Sequence, residues 1–208
     1  MPACQGDVVK GDVVDGWRVA PATPERWGDV ERVFGPNGAY SGCWCTYFWL
    51  SGREFAAAAG APARALLRDA VSAGPVPGLL GYRDGEPVGW VALGRRDGYA
   101  RLVRSPMVKP IDPGDDGVWS VPCFDVPRAH RRTGVATALL AAAVEHAAAA
   151  GARVVEAYPV ATGSPGGAAG LYPGGEEMFR RAGFTEVRRP TPRRLVVRRE
   201  VTPGGRSP

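Results

Sequence analysis

The stretch from Val118 to Ala150 constrains this chain more than any other part of it. An apolar run, Val118–Val126, leads through the connector Pro127–Thr133 into an alanine-rich segment, Gly134–Ala150, which Gly151 stops. A second strand is expected at Arg153–Tyr158. Strand, long helix and strand in that order demand a crossover, which lays the two strands parallel in one sheet with the helix on its face. Upstream, Gly78–Arg83 and Val88–Leu93 flank Asp84-Gly85-Glu86, a turn composition that predicts an antiparallel hairpin. A hairpin beside a crossover implies a mixed sheet with helices on both faces.

The remaining elements fit around these two units. Trp17–Ala20 reads as a short strand, and Thr23 as an N-cap with Pro24 in the first helical position of a helix running to about Phe34. Gly35–Gly42 is turn-rich and leads into an aromatic cluster from Cys43 to Leu50. A helix is expected at Ala61–Ala73, closed by Gly74-Pro75. The stretch Ala161–Gly175 carries six glycines and two prolines and reads as a mobile loop. Glu176–Ala182 is a short helix closed by Gly183, and strands at Phe184–Arg189 and Leu195–Val201 complete the order β-α-α-β-β-β-α-β-α-β-β. The expected fold class is thus α/β, or α+β, with a single mixed, mostly antiparallel sheet. Its domain spans 17–201, between a loose extension at 1–16 and a tail at 202–208. No placement follows from the sequence for Tyr99 to about Ile111.

Composition narrows the function. The formal net charge of +5 and pI near 9.3 invite a nucleic-acid reading. The basic residues are nearly all arginine, with lysine only at Lys10 and Lys109, and they fall in scattered pairs rather than one basic arm. Nucleic acid is therefore not the expected partner. No apolar run approaches the roughly 18 residues of a membrane span, and the N-terminus lacks a basic stretch followed by an apolar one. A cytoplasmic protein without a membrane partner is expected. The four cysteines, Cys4, Cys43, Cys45 and Cys123, lack the spacing of a zinc site or a disulfide scaffold, so they read as reduced thiols and no metal is expected.

The junction between the strand and the long helix carries the chemistry. Free amides at a helix start, together with the helix dipole, form an anion cradle. Gly134 allows an anion close to the backbone, Ala136 keeps the helix start narrow, and Arg131 and Arg132 add charge at the rim. An ordinary strand–helix junction with solvent-facing arginines has the same local composition. The segment is not a phosphate-binding P-loop, since no Gly-Lys-Ser/Thr follows, and Gly-x-Gly-x-x-Gly is absent.

Arg131-x-x-Gly134-x-Ala136, preceded by Val126 at a strand end, resembles the Arg/Gln-x-x-Gly-x-Gly/Ala signature of the GNAT superfamily of N-acetyltransferases. Met178-Phe179-Arg180-Arg181-Ala182-Gly183-Phe184 is similar to the family's terminal Leu-Tyr-Glu-Lys-x-Gly-Phe, and the order of elements agrees from Trp17 to about Val201. The resemblance implies an acyl-CoA-dependent N-acyltransferase, moving acetyl or another short acyl group to a primary amine of a small molecule or peptide. Acetyl-CoA would be the co-substrate, its pyrophosphate on the amides of Arg132, Thr133, Gly134, Val135 and Ala136, with Arg131 and Thr137 close by. The pantetheine arm would enter a V-shaped splay between the strand ending at about Val126 and the one starting at about Arg153. A backbone amide near Val126 would polarise the thioester carbonyl. A homodimer is left open.

Acceptor chemistry sets further requirements. A primary amine is only about one part in a thousand neutral at pH 7, a handicap of roughly 4 kcal/mol that a base must offset. Asp125 at the strand end, Glu156 on the next strand and His130 in the connector are the candidates, and each also reads as an ordinary solvated or packed side chain. The resemblance implies a tyrosine as acid for the departing thiolate, but Phe179 stands in the matching position. Tyr172 and Tyr158 are the nearest substitutes. Cys123 raises the alternative of a covalent acyl-cysteine, against the plainer reading of a core thiol. Trp44, Tyr47 and Trp49 are expected either to wall the acceptor site or to fill the core beneath a loop. The departure at Phe179 also leaves room for a non-catalytic acyl-CoA-binding domain of the same fold.

Overall fold

The computed structural model describes residues 17–105, 108, 110–163 and 172–204. Seven strands, β1 Trp17–Pro21, β2 Gly78–Arg83, β3 Glu86–Arg95, β4 Val118–Asp125, β5 Val154–Ala157, β6 Thr185–Thr191 and β7 Arg194–Glu200, form one sheet in the order β1-β2-β3-β4-β5-β7-β6. Every neighbouring pair is antiparallel except β4 and β5. The mixed, mostly antiparallel sheet is as the sequence predicts. The β2–β3 turn has positive φ at both Asp84 (50°) and Gly85 (83°), the twist a two-residue hairpin requires.

Helices cover both faces. α5, Val135–Ala149, crosses one face and packs over β2 and β3. Its close approach rests on Gly89, where a Cβ would lie 2.6 Å from Val135 Cγ1. α6, Glu176–Arg181, shares this face, with Phe179 and Phe184 buried in the same cluster as Leu139 and Leu140. The opposite face carries α1 (Trp27–Phe34) and α3 (Ala61–Ala73), packed through Val30, Phe34, Leu67 and Trp90. α1 begins later than expected, because Pro24–Arg26 forms a 3-10 turn and the Thr23 hydroxyl accepts from Arg26 Nη1 instead of capping an amide. Among the described residues no helix is long and apolar enough to cross a membrane.

Two helices go beyond the expected elements. α2, Gly52–Ala58, opens on a reciprocal capping box between Ser51 and Glu54. α4, Ala100–Arg104, lies in the stretch the sequence leaves unplaced. The connection around it is pinned by buried Arg96, which donates to Asp112 Oδ1 at 2.8 Å and to the Asp112 carbonyl at 2.5 Å.

β4 shapes the functional end of the sheet. It pairs with β5 only from Val118↔Val154 to Val121↔Ala157, while it stays paired with β3 as far as Asp125. Its register against β3 shifts between Ala92 and Gly94, so the strand bulges at the point where it leaves β5. Pro122 sits at that point and brings no N–H that would need a partner. The two parallel strands therefore part beyond Val121.

The expected extension at 1–16, Cys4, and the central part of the glycine-rich loop lie outside the described residues.

Candidate active site

The cradle at the start of α5 is built from contiguous residues. A 3-10 turn, Arg128–His130, follows β4, and Thr133 Oγ1 donates to the His130 carbonyl at 2.7 Å. Arg132 (φ 62°) and Gly134 (φ 93°) both take left-handed backbone, which turns successive N–H groups towards one side. Gly134 is the N-cap, and the first helical bond is Ala138 N–H to the Gly134 carbonyl at 3.0 Å. The amides from Arg132 to Thr137 thus have no backbone acceptor among the described residues. Space is open where a Gly134 Cβ would point. Arg131 Nε donates to the Val126 carbonyl at 2.9 Å, tying the cradle to the end of β4.

A cleft of about 1040 Å³ runs from this cradle along the free end of β4. Arg131, Arg132, Gly134, Val135, Ala136 and Thr137 line one end, Phe124, Asp125 and Val126 the middle, and Tyr172 with Gly174 the far wall. The structure thus brings together most of the expected cofactor residues, Asp125 and Tyr172. The segment carrying Tyr172 sits inside the splay: the Phe124 N–H donates to the Tyr172 carbonyl at 2.7 Å, and Val160 N–H to the Gly174 carbonyl at 3.0 Å. The opposite wall comes from Arg32, Phe34, Asn37 and Tyr40, at the end of α1 and in the turn after it. In sequence that turn-rich stretch reads as a connector, and only its position after α1 hints at a wall.

Electrostatics single out Asp125. Burial raises its carboxyl from 3.8 to about 6, and Arg131 opposes the shift. Burial likewise raises the Tyr172 phenol, which keeps it protonated near neutrality. His130 also lines the cleft, on the cradle side.

Other expected residues lie elsewhere. Glu156 is buried in an ion-pair network: Arg198 Nε donates to it at 2.7 Å, Arg96 lies 3.5 Å away, and the Tyr158 hydroxyl donates to it at 2.6 Å. Both oxygens are committed, so Glu156 and Tyr158 hold β5 to β7 and the Arg96 connection rather than face the cleft. Glu156→Gln is expected to destabilise the protein by about 3 kcal/mol, read by calorimetry, because it leaves buried guanidinium charge uncompensated.

Trp44 is buried and stacks on Phe34 (5.3 Å between centroids) and Trp27 (6.2 Å), while Tyr47 and Trp49 pack against the same cluster. None of the three lines the cleft. Cys123 is buried beside Cys45 in this cluster, also off the cleft lining. Phe179 is fully buried between Phe124 and Phe184, at 6.2 and 5.2 Å, so the position matching the family tyrosine serves the core.

A bulged central strand parting from its parallel neighbour, with a helix-start cradle at the mouth of the gap, defines the acetyltransferase class of α/β fold. The chain belongs to the GNAT acetyltransferase family, whose model matches residues 44–172. Solved structures agree on the fold. An acetyltransferase from Thermus thermophilus superposes with a TM-score of 0.50 at 18% identity over 89% of this chain and 97% of that one. The GNAT domain of S. lividans PAT gives 0.50 at 18% over 89% and 90%. The paiA N-acetyltransferase from Thermoplasma acidophilum, in complex with coenzyme A, gives 0.52 at 10% over 89% and 99%. No curated protein sequence matches the chain.

Proposed function

We propose that this protein transfers an acyl group, most simply acetyl, from acyl-CoA directly to a primary amine of a small molecule or peptide. One observation carries the reading: a single cleft joins the amide cradle of α5 to the half-buried Asp125 carboxyl and the Tyr172 phenol. The relative solved with coenzyme A supports acyl-CoA as the occupant.

In this scheme the pyrophosphate rests on the amides of Arg132–Ala136 and the pantetheine arm lies beside the end of β4 at Val126, because the Tyr172 segment already occupies the edge at Phe124. Asp125, with its carboxyl near 6, is ionised at neutral pH yet basic enough to take a proton from the acceptor ammonium. The neutral amine attacks the thioester carbon, and the amide at Val126 stabilises the oxyanion. The C–N bond forms, the C–S bond breaks, and the thiolate takes a proton from Tyr172. The extra proton on the newly acylated nitrogen passes to the Tyr172 phenolate, and Asp125 returns its own proton to solvent.

The test has two parts. Acetyl-CoA is expected to raise the melting temperature; no stabilisation contradicts acyl-CoA binding. Thiol release across a panel of primary amines is expected for at least one acceptor class. Binding without any turnover would favour a non-catalytic acyl-CoA module.

A further inference from the structure

The cleft has two ends of different chemistry. Arg128, His130, Arg131 and Arg132 line the cradle end, which suits a polyphosphate. The other end lies on the α1 face of the sheet. Asp125 pairs directly with Trp90 across β4 and β3, which puts the two side chains on one face. Phe34 meets Trp90 edge-on, with 5.4 Å between centroids, and so sets the end of α1 and the turn after it beside the carboxyl.

Asp125 is the one carboxylate among the described residues that line the cleft. The segment 164–171, which precedes Tyr172 and lies outside the described residues, has no Asp, Glu, Lys or Arg in its sequence. The wall on the α1 side is Phe34, Pro36, Ala39 and Tyr40, and Asn37 supplies its one amide. Arg32 on the same wall is already paired with Asp29 and, at 3.4 Å, with Glu86.

Tyr40 stands 67% exposed on this wall, and the turn that carries it is strained. Gly38 (φ 62°), Ala39 (63°) and Ser41 (55°) are all left-handed, a conformation that residues with a Cβ avoid. The turn is held from both sides. The Ala39 N–H donates to the Phe34 carbonyl at 2.8 Å, and the Trp44 N–H to the Gly38 carbonyl at 3.1 Å. Strain maintained by its surroundings is a mark of functional segments, and here it keeps a large ring out of the core and at the cleft.

We infer that the acceptor is an amine with a single cationic centre and a flat apolar body, its ammonium at Asp125 and its body against Pro36 and Tyr40. An arylalkylamine has this form. A second ammonium, as in a polyamine, would find no further carboxylate and would meet the arginines instead. The hydroxyls of an amino sugar would exchange water for an apolar wall with one amide. This rests on the acyl-transfer reading above, and the experiment separates the two.

Thiol release from acetyl-CoA is measured with 2-phenylethylamine, tryptamine, putrescine, spermidine and glucosamine. The better aromatic amine is expected to exceed each of the other three in kcat/KM by about tenfold or more, the worth of one aromatic contact. Tyr40→Ala should raise its KM by about the same factor with kcat little changed, while Tyr40→Phe keeps the low KM. Tyr40 is exposed, and melting temperatures report that both variants are folded. A preference for a polyamine or the amino sugar, or a KM indifferent to Tyr40→Ala, would overturn the inference. So would weakened coenzyme A binding in Tyr40→Ala, which would set the ring against the co-substrate. The same amines are titrated calorimetrically into the complex with coenzyme A, where no acyl group is present to react. Tighter binding of the aromatic amine, lost in Tyr40→Ala, without thiol release from any acceptor leaves the pocket standing and removes the transfer reading. Transfer that favours polyamines does the reverse.

Discussion

Replacing Gly134 with glutamate is expected to weaken acetyl-CoA binding by up to about a hundredfold, measured as Kd by isothermal titration. Gly134 holds φ at 93°, a left-handed conformation that costs an L-residue roughly 1–2 kcal/mol. The new carboxylate would stand among the free amides of the cradle, cancelling a dipole contribution of roughly 0.3–1 kcal/mol and repelling the pyrophosphate. Together these reach about 3 kcal/mol, or two decades in affinity. Gly134→Ala separates the contributions: no atom lies within 4 Å of the added Cβ, so only backbone strain remains and the loss should stay near tenfold. Unchanged affinity in the glutamate variant would place the co-substrate elsewhere.

Asp125→Asn is expected to lower kcat/KM by roughly 10²–10⁴-fold near neutral pH, the usual contribution of a positioned base. In the unaltered enzyme, kcat/KM should rise with pH through about 6 as this carboxyl ionises. That limb should be missing from the asparagine variant. Stability should move the other way. The folded carboxyl holds its proton to about 6 whereas the unfolded one releases it near 3.8, so the folded state is favoured at low pH. This advantage is lost between those two values as pH rises. At roughly 1.4 kcal/mol per pH unit, keeping Asp125 ionised in the folded state costs up to about 3 kcal/mol above pH 6. The asparagine variant should therefore melt higher than the unaltered protein at pH 8, with the gap closing below pH 4. A variant with full activity would remove Asp125 from the chemistry.

Legibility in the sequence follows locality. The Asp84-Gly85 turn, the alanine-rich α5 and the Arg131-x-x-Gly134-x-Ala136 cradle are each set by neighbouring residues, and each forms as its sequence predicts. α2 has its own signal, Ser51-x-x-Glu54, but it is short and follows an aromatic cluster without helical period. α4 has none, because Arg96 and Asp112, sixteen residues apart, fix its surroundings. Glu156 reads as a buried acid among apolar neighbours, while its partner Arg198 lies 42 residues on. Trp44 carries both a wall and a core reading, and only its stacking on Phe34 and Trp27 decides for the core. The opposite wall, from Arg32 to Tyr40, is illegible for the same reason: a turn becomes a wall only when β4 is brought against it.

Hydrogen–deuterium exchange with and without acetyl-CoA tests the placement of the site most directly. Protection is expected at the amides of Arg132–Thr137 and at Val126, where β4 runs out, with little change in β1, β6 and α3. Binding that leaves those amides unprotected, or protects another part of the sheet, would contradict the account.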